Sequence, residues 1–290
     1  MKLSIVTINY NNADGLRKTL ASVAAQTYRD IEHVIIDGGS SDESVNVIQD
    51  YVTKVKSEEL RVKSIIWVSE KDEGIYNAMN KGIKRATGEY IQILNSGDIL
   101  AAPDVTERMV NALAKVKSEE LRGKSEEIGI PIFYGNMIKK DYVTGKIIGK
   151  SREVEYSLRQ YYSSTMNHDC CYIHRFIYEK YGLYDENLKI VSDWKWFLQA
   201  IGLGNVKPVY VDIDVTIFDA SGISETNLEL RNKERRQVLE ALLPPAVLAD
   251  YDIHAFDIQQ MDRLRKHHLY GLVYFIERVL FKLEKWHILH

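Results

Sequence analysis

A mostly parallel sheet covered by helices is the fold class this sequence predicts, and two observations carry the prediction. Over the first hundred residues, short apolar runs of strand length alternate with stretches whose apolar residues recur at helical spacing. Each apolar run also ends in polar or acidic residues, at Asn9, at Asp37, at Glu70 to Asp72 and at Asn95 to Asp98. In an open α/β sheet such ends gather on one rim, where ligands bind.

The elements follow in order. Residues 3–8 form an apolar run bounded by Asn9, Asn11 and Asn12, which reads as a buried strand, and Leu16, Leu20, Val23 and Ala24 then mark a helix. A second strand at 34–36 enters the polar turn Asp37-Gly38-Gly39-Ser40-Ser41-Asp42. Val45, Ile48, Val52 and Val55 give the next helix, 65–68 a third strand, Ile75, Met79, Ile83 and Ala86 a third helix, and 90–94 a fourth strand. The second half is less regular. Residues 130–137 read as a strand with a hairpin partner starting at 147–148, and 170–181 as strand then helix. Ser192 opens a helix with Trp194, Phe197, Leu198 and Ile201 on one face. Residues 209–211 and 215–218 read as strands, 225–243 as a charged helix ending at Pro244-Pro245, and 254–286 as a separate helical tail.

Composition narrows the function classes. The 290 residues carry a formal net charge of −3, without the basic excess of a nucleic-acid binder. Cys170 and Cys171 are adjacent, a poor arrangement for an ordinary disulfide or a zinc site, so the chain reads as reduced and cytoplasmic. The apolar run at 3–8 is too short for a signal peptide, and no stretch approaches the ~20 apolar residues needed to span a bilayer. One charged segment, 54–64, recurs at 115–125 with Gly123 replacing Val62, and two such copies read as tolerated surface insertions.

Several residues have a chemical and a plain reading side by side. Asp98, at a strand end in a Gly-containing turn, can hold a hard divalent cation through oxygen or simply belong to the turn. Asp37 can accept hydrogen bonds from a base or ribose, or shape its turn. Asp72 and Asp193 stand where a helix start also favours an acid. His168-Asp169 reads as a metal ligand, a phosphate contact or a solvated pair.

Together these segments carry a resemblance. Ser4 to Asn12, Val34 to Asp42, Asp72 to Gly82 and Leu94 to Asp98 resemble, in order, the family 2 inverting glycosyltransferases with the GT-A fold, and the likeness continues more loosely through Asn167-His168-Asp169 and Tyr184-Asp185-Glu186 to Ser192-Asp193-Trp194. The resemblance implies a glycosyltransferase domain over 1–224, with a donor half at 1–100 and an acceptor half at 101–224, and a helical extension at 225–290. It implies Thr7 and Asn9 along a nucleotide pocket, Asp37 on the base, Asp72 on the nucleotide or sugar, and Asp193 as general base. Asn95 to Asp98 would be the counterpart of the family's Asp-x-Asp motif, holding Mn²⁺ or Mg²⁺ through Asp98. Here Asn95 replaces the first acid, one carboxylate fewer than the pattern. His168, Asp169 and Trp194 are candidate acceptor or phosphate contacts.

The implied reaction moves a sugar, by resemblance from a UDP-sugar, to a glycan or lipid-linked acceptor hydroxyl in polysaccharide synthesis. The alternative from another class is a non-catalytic nucleotide-sugar binder or scaffold. A nicotinamide dehydrogenase would show Gly-x-Gly-x-x-Gly after the first strand, and residues 9–15 do not. In the tail, Leu269, Leu272, Ile276, Val279, Leu283 and Trp286 form an apolar helical stripe, and residues 263–290 hold six Lys/Arg against two Glu. Three surfaces compete for that stripe: the enzyme's own body, the anionic inner face of a membrane, and a second copy of the chain.

Overall fold

β1 (Leu3–Asn9) is buried at every position. An unbroken buried run needs cover on both faces, which places it at the centre of a sheet. The computed structural model, which describes residues 1–57, 62–122, 130–141, 144–154, 156–219 and 227–285, shows this arrangement. β2 (Ile31–Asp37) and β4 (Tyr90–Asn95) flank β1, both parallel to it, and β3 (Ser64–Ser69) adds parallel to β2. Parallel neighbours need crossovers, and α1 (Ala13–Ala24), α2 (Ser44–Lys56) and α3 (Ile75–Arg85) supply them. The register sets Asn9 beside Asp37, Asp37 beside Ser69, and Ile8 beside Asn95, so the four carboxyl ends finish side by side.

The helix starts are tied to that rim. Asn12 caps α1, accepting from the Gly15 N–H at 3.1 Å. Asp42 accepts from Ser44 N at 3.0 Å and from Ala13 N at 2.9 Å, so one carboxylate satisfies orphan donors of two helices. At the opposite rim, Glu32 is buried among Lys2, Ser4 and Thr87. Burial works against its ionised form, but hydrogen bonds from these three residues outweigh it and hold the carboxyl down to about 2.

The second half adds β5 (Ile99–Leu100), α4 (Val105–Arg122), β6 (Ile132–Lys140), β7 (Ile147–Lys150), α5 (Leu158–Ser163), a 3₁₀ turn (His168–Cys170), β8 (Cys171–His174), α6 (Arg175–Tyr181), α7 (Ser192–Phe197) running into a π-helical turn (Leu198–Gly202), and β9 (Pro208–Asp219). The sheet order is β3-β2-β1-β4-β8-β6-β9-β5, with β7 paired to β6. β8 runs antiparallel to both neighbours, while β6 and β9 are parallel. The sheet is thus parallel in its first half and mixed in its second.

Three expectations differ from the structure. The strands read at 209–211 and 215–218 are one strand, β9. Asp212 and Asp214 interrupt the apolar run in sequence, but they alternate with buried Ile213 and Val215, so the period of two continues. The Asn136 amide donates to Asp212 at 3.0 Å and to Asp214 at 3.1 Å where the β6–β9 register shifts. The helical tail read at 254–286 is two helices, α9 (Pro245–Lys266) and α10 (Tyr270–Lys285), broken where His268 takes a left-handed φ of 57°. The charged helix begins later, as α8 (Leu228–Leu242); residues 225–226 and Trp286 lie outside the described residues. Of the repeated segment, the second copy continues α4 to Arg122, and 58–61 and 123–125 are likewise outside the description.

Cys170 and Cys171 are free and buried, each thiol donating to the Asn167 carbonyl at 3.1 Å. The chain divides into two compact units, Met1–Arg235 and Arg236–His290, with the division inside α8. In the second unit Arg236 pairs with Glu240 and with Asp252, both at 2.7 Å, joining α8 to α9. Among the described residues no helix is long and apolar enough to cross a membrane.

Candidate functional site

At the carboxyl ends of β1, β2 and β4 lies a crevice of about 750 Å³, lined among others by Asn9, Tyr10, Gly38, Asp72, Asn95 and Asp98. Its size suits a drug- to nucleotide-sized ligand. One wall is the turn Asn95-Ser96-Gly97-Asp98. Gly97 has φ 110°, a conformation L side chains rarely adopt. Thr19 of α1 holds the turn by its backbone, accepting from Gly97 N at 3.0 Å and donating to the Asp98 carbonyl at 2.7 Å. Asp98 is 3 % exposed. Asn95 directs its amide nitrogen towards His168, and its Oδ1 is buried with no hydrogen-bond partner among the described residues. The Oδ1 of Asn9 is in the same condition.

The facing wall depends on a missing side chain. A Cβ on Gly38 would stand 2.4 Å from Asp72 Oδ2, so the Asp72 carboxylate occupies space that any other residue would fill. Asp72 Oδ1 accepts from Gly74 N at 3.0 Å. This residue therefore shapes the entry to α3 and lines the crevice at once.

Two expected donor contacts sit elsewhere. Asp37 does not line the crevice: it accepts from Asn9 Nδ2 (2.8 Å), Ser40 Oγ (2.6 Å), Ser40 N (2.9 Å) and Ser69 Oγ (2.6 Å), which fills its four acceptor positions. Burial opposes its charge, yet the bonds from Ser40, Ser69 and Asn9 hold its carboxyl below the usual range. Asp37 thus knits three strand ends together. Thr7 is fully buried, its hydroxyl 2.9 Å from His33 Nε2. His33 in turn reaches the Tyr51 hydroxyl at 2.9 Å, and burial pushes its imidazole down to about 3.

Asp193 stands in the first turn of α7. Its Oδ1 accepts from the Tyr76 hydroxyl at 2.9 Å and its Oδ2 from His168 Nδ1 at 3.1 Å. The other ring nitrogen of His168 lies 3.2 Å from the Asn95 side-chain amide. One imidazole therefore spans from the crevice wall to Asp193. Burial disfavours both charged forms, but the hydrogen bond and charge of the partner prevail in each case: the Asp193 carboxyl is lowered and the His168 imidazole raised.

Of the other candidate contacts, neither Asp169 nor Trp194 reaches the crevice. Asp169 is buried and accepts from the Thr216 hydroxyl at 2.6 Å. Trp194 is buried, with Nε1 donating to the Tyr161 carbonyl at 2.6 Å. Sequence reasoning passed over a group that the structure makes prominent. Along α3, the Tyr76 hydroxyl shares its one proton between Asp193 and the Ile190 carbonyl, 2.6 Å away, and Asn80 exchanges bonds with Tyr184, Nδ2 to the carbonyl at 2.8 Å and Oδ1 from the N–H at 3.0 Å. Asn77 and Asn80 both donate to Glu186 at 2.7 Å. These residues dock the segment leading to Asp193 onto α3. Their spacing on one helical face was the available signal, but a buried helical Asn does not name its partner.

Comparison with known proteins fits this geometry. Residues 4–119 match the family model described as glycosyl transferase family 2. An uncharacterized glycosyltransferase of Mycobacterium tuberculosis is 32 % identical over 225 residues, 76 % of each chain. A PGL/p-HBAD biosynthesis glycosyltransferase of Mycobacterium bovis is 24 % identical over 224 residues, 77 % of this chain and 79 % of that one. Among solved structures, residues 1–349 of S. aureus TarS in complex with UDP-GlcNAc align with a TM-score of 0.58 at 17 % identity, over 82 % of this chain and 64 % of that one. The mannosyltransferase PcManGT from Pyrobaculum calidifontis, in complex with GDP-Man and Mn²⁺, aligns with a TM-score of 0.56 at 17 % identity, over 81 % of this chain and 60 % of that one. The chain thus spans less than two thirds of either solved chain. Its order of elements, its strand-end crevice and a relative at 32 % identity agree: the chain belongs to glycosyltransferase family 2 and has the GT-A fold.

Proposed function

We propose that this glycosyltransferase binds a nucleotide-sugar in the strand-end crevice and transfers the sugar, with inversion, to an acceptor hydroxyl activated by Asp193. One observation carries the reading: His168 touches the crevice wall through one ring nitrogen and Asp193 through the other, so donor site and base are one imidazole apart. The donor half, 1–100, supplies the crevice. The exposed Tyr10 ring beside Gly38 offers a stacking face for a base, and Lys71 a positive charge for phosphate. Asn9, Asn95 and Asp72 line the crevice; the amide oxygens of the two asparagines are buried and without a partner among the described residues, and Asp72 adds a carboxylate.

A divalent cation, Mn²⁺ or Mg²⁺, fits the residues present. Among the described residues no three His, Cys, Asp or Glu cluster together, but Asp98 and the unpartnered Asn95 Oδ1 are hard oxygens on one turn, and such ions take the rest of their shell from phosphates and water. Bound there, the ion would neutralise charge developing on the diphosphate.

Asp193, held ionised by His168 and Tyr76, keeps a second lone pair on each oxygen. It accepts the proton of the acceptor hydroxyl as that oxygen bonds to the anomeric carbon and the bond to the diphosphate breaks. Sugar passes to the acceptor, the proton to Asp193 and the electron pair to the nucleoside diphosphate. A thermal-shift screen of UDP-Glc, UDP-GlcNAc and GDP-Man with and without Mn²⁺ tests the donor assignment. At least one should raise the melting temperature more with the ion than without; no shift from any nucleotide or nucleotide-sugar contradicts it.

The acceptor is a glycan or lipid-linked hydroxyl, and α10 supports the lipid-linked form. Val279 and Phe281 on that helix are 40 % and 67 % exposed, with Leu272, Phe275, Ile276 and Leu280 between them in exposure. Leu272, Phe275, Ile276, Val279 and Leu280 share one helical face, with Lys282 at its edge beside Phe275 and Phe281 on the opposite side. Such a helix suits an anionic bilayer surface. The full chain should co-sediment with vesicles containing phosphatidylglycerol, and a 1–243 truncation should not; equal sedimentation of the two contradicts the contact.

A further inference from the structure

The middle of α8 reaches the segment that carries Asp193. Glu234 is 5 % exposed, and its two oxygens accept successive main-chain N–H groups, Lys189 at 2.7 Å and Ile190 at 2.9 Å. The carbonyl of Ile190 and the Asp193 carboxylate share the single proton of the Tyr76 hydroxyl, which lies 2.6 Å from the first and 2.9 Å from the second. The Ile190 residue is therefore gripped at both its polar groups, its N–H by Glu234 and its carbonyl by Tyr76. Next along α8, Arg235 lays its guanidinium 4.9 Å from the centre of the Trp194 ring and donates to the Ser163 carbonyl at 3.1 Å.

Simple burial would be better served by an apolar residue, because a buried carboxylate pays a desolvation cost. Glu234 makes no ion pair among the described residues, so the two peptide N–H groups are its compensation. What a carboxylate adds over a leucine is direction, since two bonds to neighbouring amides fix the rotation of the chain three residues before Asp193.

We propose that Glu234 is a positioning residue for glycosyl transfer: by holding the 189–190 backbone it sets the place and orientation of the Asp193 carboxylate, and the middle of α8 is part of the catalytic unit rather than an appendage. The inference rests on Asp193 being the base. Glu234 touches neither donor nor acceptor, so its effect should appear in turnover and not in nucleotide binding.

The test uses the full chain, with whichever of UDP-Glc, UDP-GlcNAc and GDP-Man is hydrolysed fastest. Glu234→Gln keeps the size and one acceptor oxygen but turns an NH₂ group towards an N–H. Its kcat should fall about 10–100-fold, a part of what a positioned base supplies, while calorimetric affinity for UDP or GDP with Mn²⁺ stays within about twofold. In the Asp193→Asn background, E234Q should change the residual rate by less than about twofold, because two residues acting through one group are not additive. A folded E234Q enzyme with wild-type kcat, or an equal loss in both backgrounds, overturns the proposal. Glu234→Asp keeps the charge but is one methylene shorter; it should fold and lose less than E234Q. If neither variant folds, Glu234 is a folding residue and the positioning role is overturned. Wild-type hydrolysis by Asp193→Asn would instead overturn the base assignment and this inference with it, whereas loss in D193N with none in E234Q would overturn the inference alone.

Discussion

Asp193→Asn should leave a folded protein that binds nucleotide normally and turns over about 10²–10⁴-fold more slowly. The variant keeps the volume and can still accept from Tyr76, so the start of α7 has little reason to unfold. It cannot take a proton, and it loses the charge that raises the His168 imidazole above its ordinary value. Lost turnover with retained donor affinity is the mark of an interaction made mainly in the transition state. The competing view, an acid favoured only by the helix start and worth about 0.5–2 kcal/mol as a cap, forecasts an enzyme of near-normal rate. Steady-state kinetics beside calorimetry with UDP and GDP separate the two, and near-normal turnover by D193N removes Asp193 from the mechanism. A non-catalytic nucleotide-sugar binder would show no turnover in the wild type either.

Asp98→Ala should weaken metal-dependent nucleotide binding by about tenfold or more, roughly 1.4 kcal/mol, and leave metal-free binding nearly unchanged. The turn itself should survive. Thr19 holds it through the Gly97 N–H and the Asp98 carbonyl, and neither bond uses the Asp98 side chain. With Asn95 in place of a second acid, Asp98 is the one carboxylate on this turn, so its loss removes the turn's formal negative charge. Calorimetry of UDP and GDP with and without Mn²⁺ measures the difference. An unchanged metal increment would show that any cation is held elsewhere.

The rim of the sheet was legible in sequence because it depends on local pattern. Apolar runs ending in Asn9, Asp37, Asp72 and Asn95-Ser96-Gly97-Asp98 predict parallel strand ends, and the register places them together. Depth along a strand was not legible. Thr7 and Asn9 share a face by the period of two, but two residues of strand put Thr7 roughly 7 Å further from the rim, against His33 rather than the crevice. Asp37 reads as a free acceptor because two of its donors, Asn9 and Ser69, come from neighbouring strands. The pairing of His168 with Asp193 across 25 residues, and of Tyr76 with Asp193 across 117, depends on how β8 and α7 meet the parallel half of the sheet, which no local pattern encodes. The break between α9 and α10 was hidden for another reason: His267 and His268 carry no proline or glycine signal, and only the backbone shows His268 in the left-handed region.

The most direct measurement on the central claim is the configuration of the sugar released. Proton NMR can follow the anomeric signal while the wild-type chain, with Mn²⁺, hydrolyses the donor it binds. A single displacement at the anomeric carbon by a nucleophile activated at Asp193 predicts that the first sugar to appear has the configuration opposite to the donor's, before mutarotation mixes the anomers. First-formed sugar of the donor's own configuration would contradict the account, because retention needs either a second displacement or attack from the leaving-group face, and a hydroxyl activated at Asp193 for one back-face displacement supplies neither.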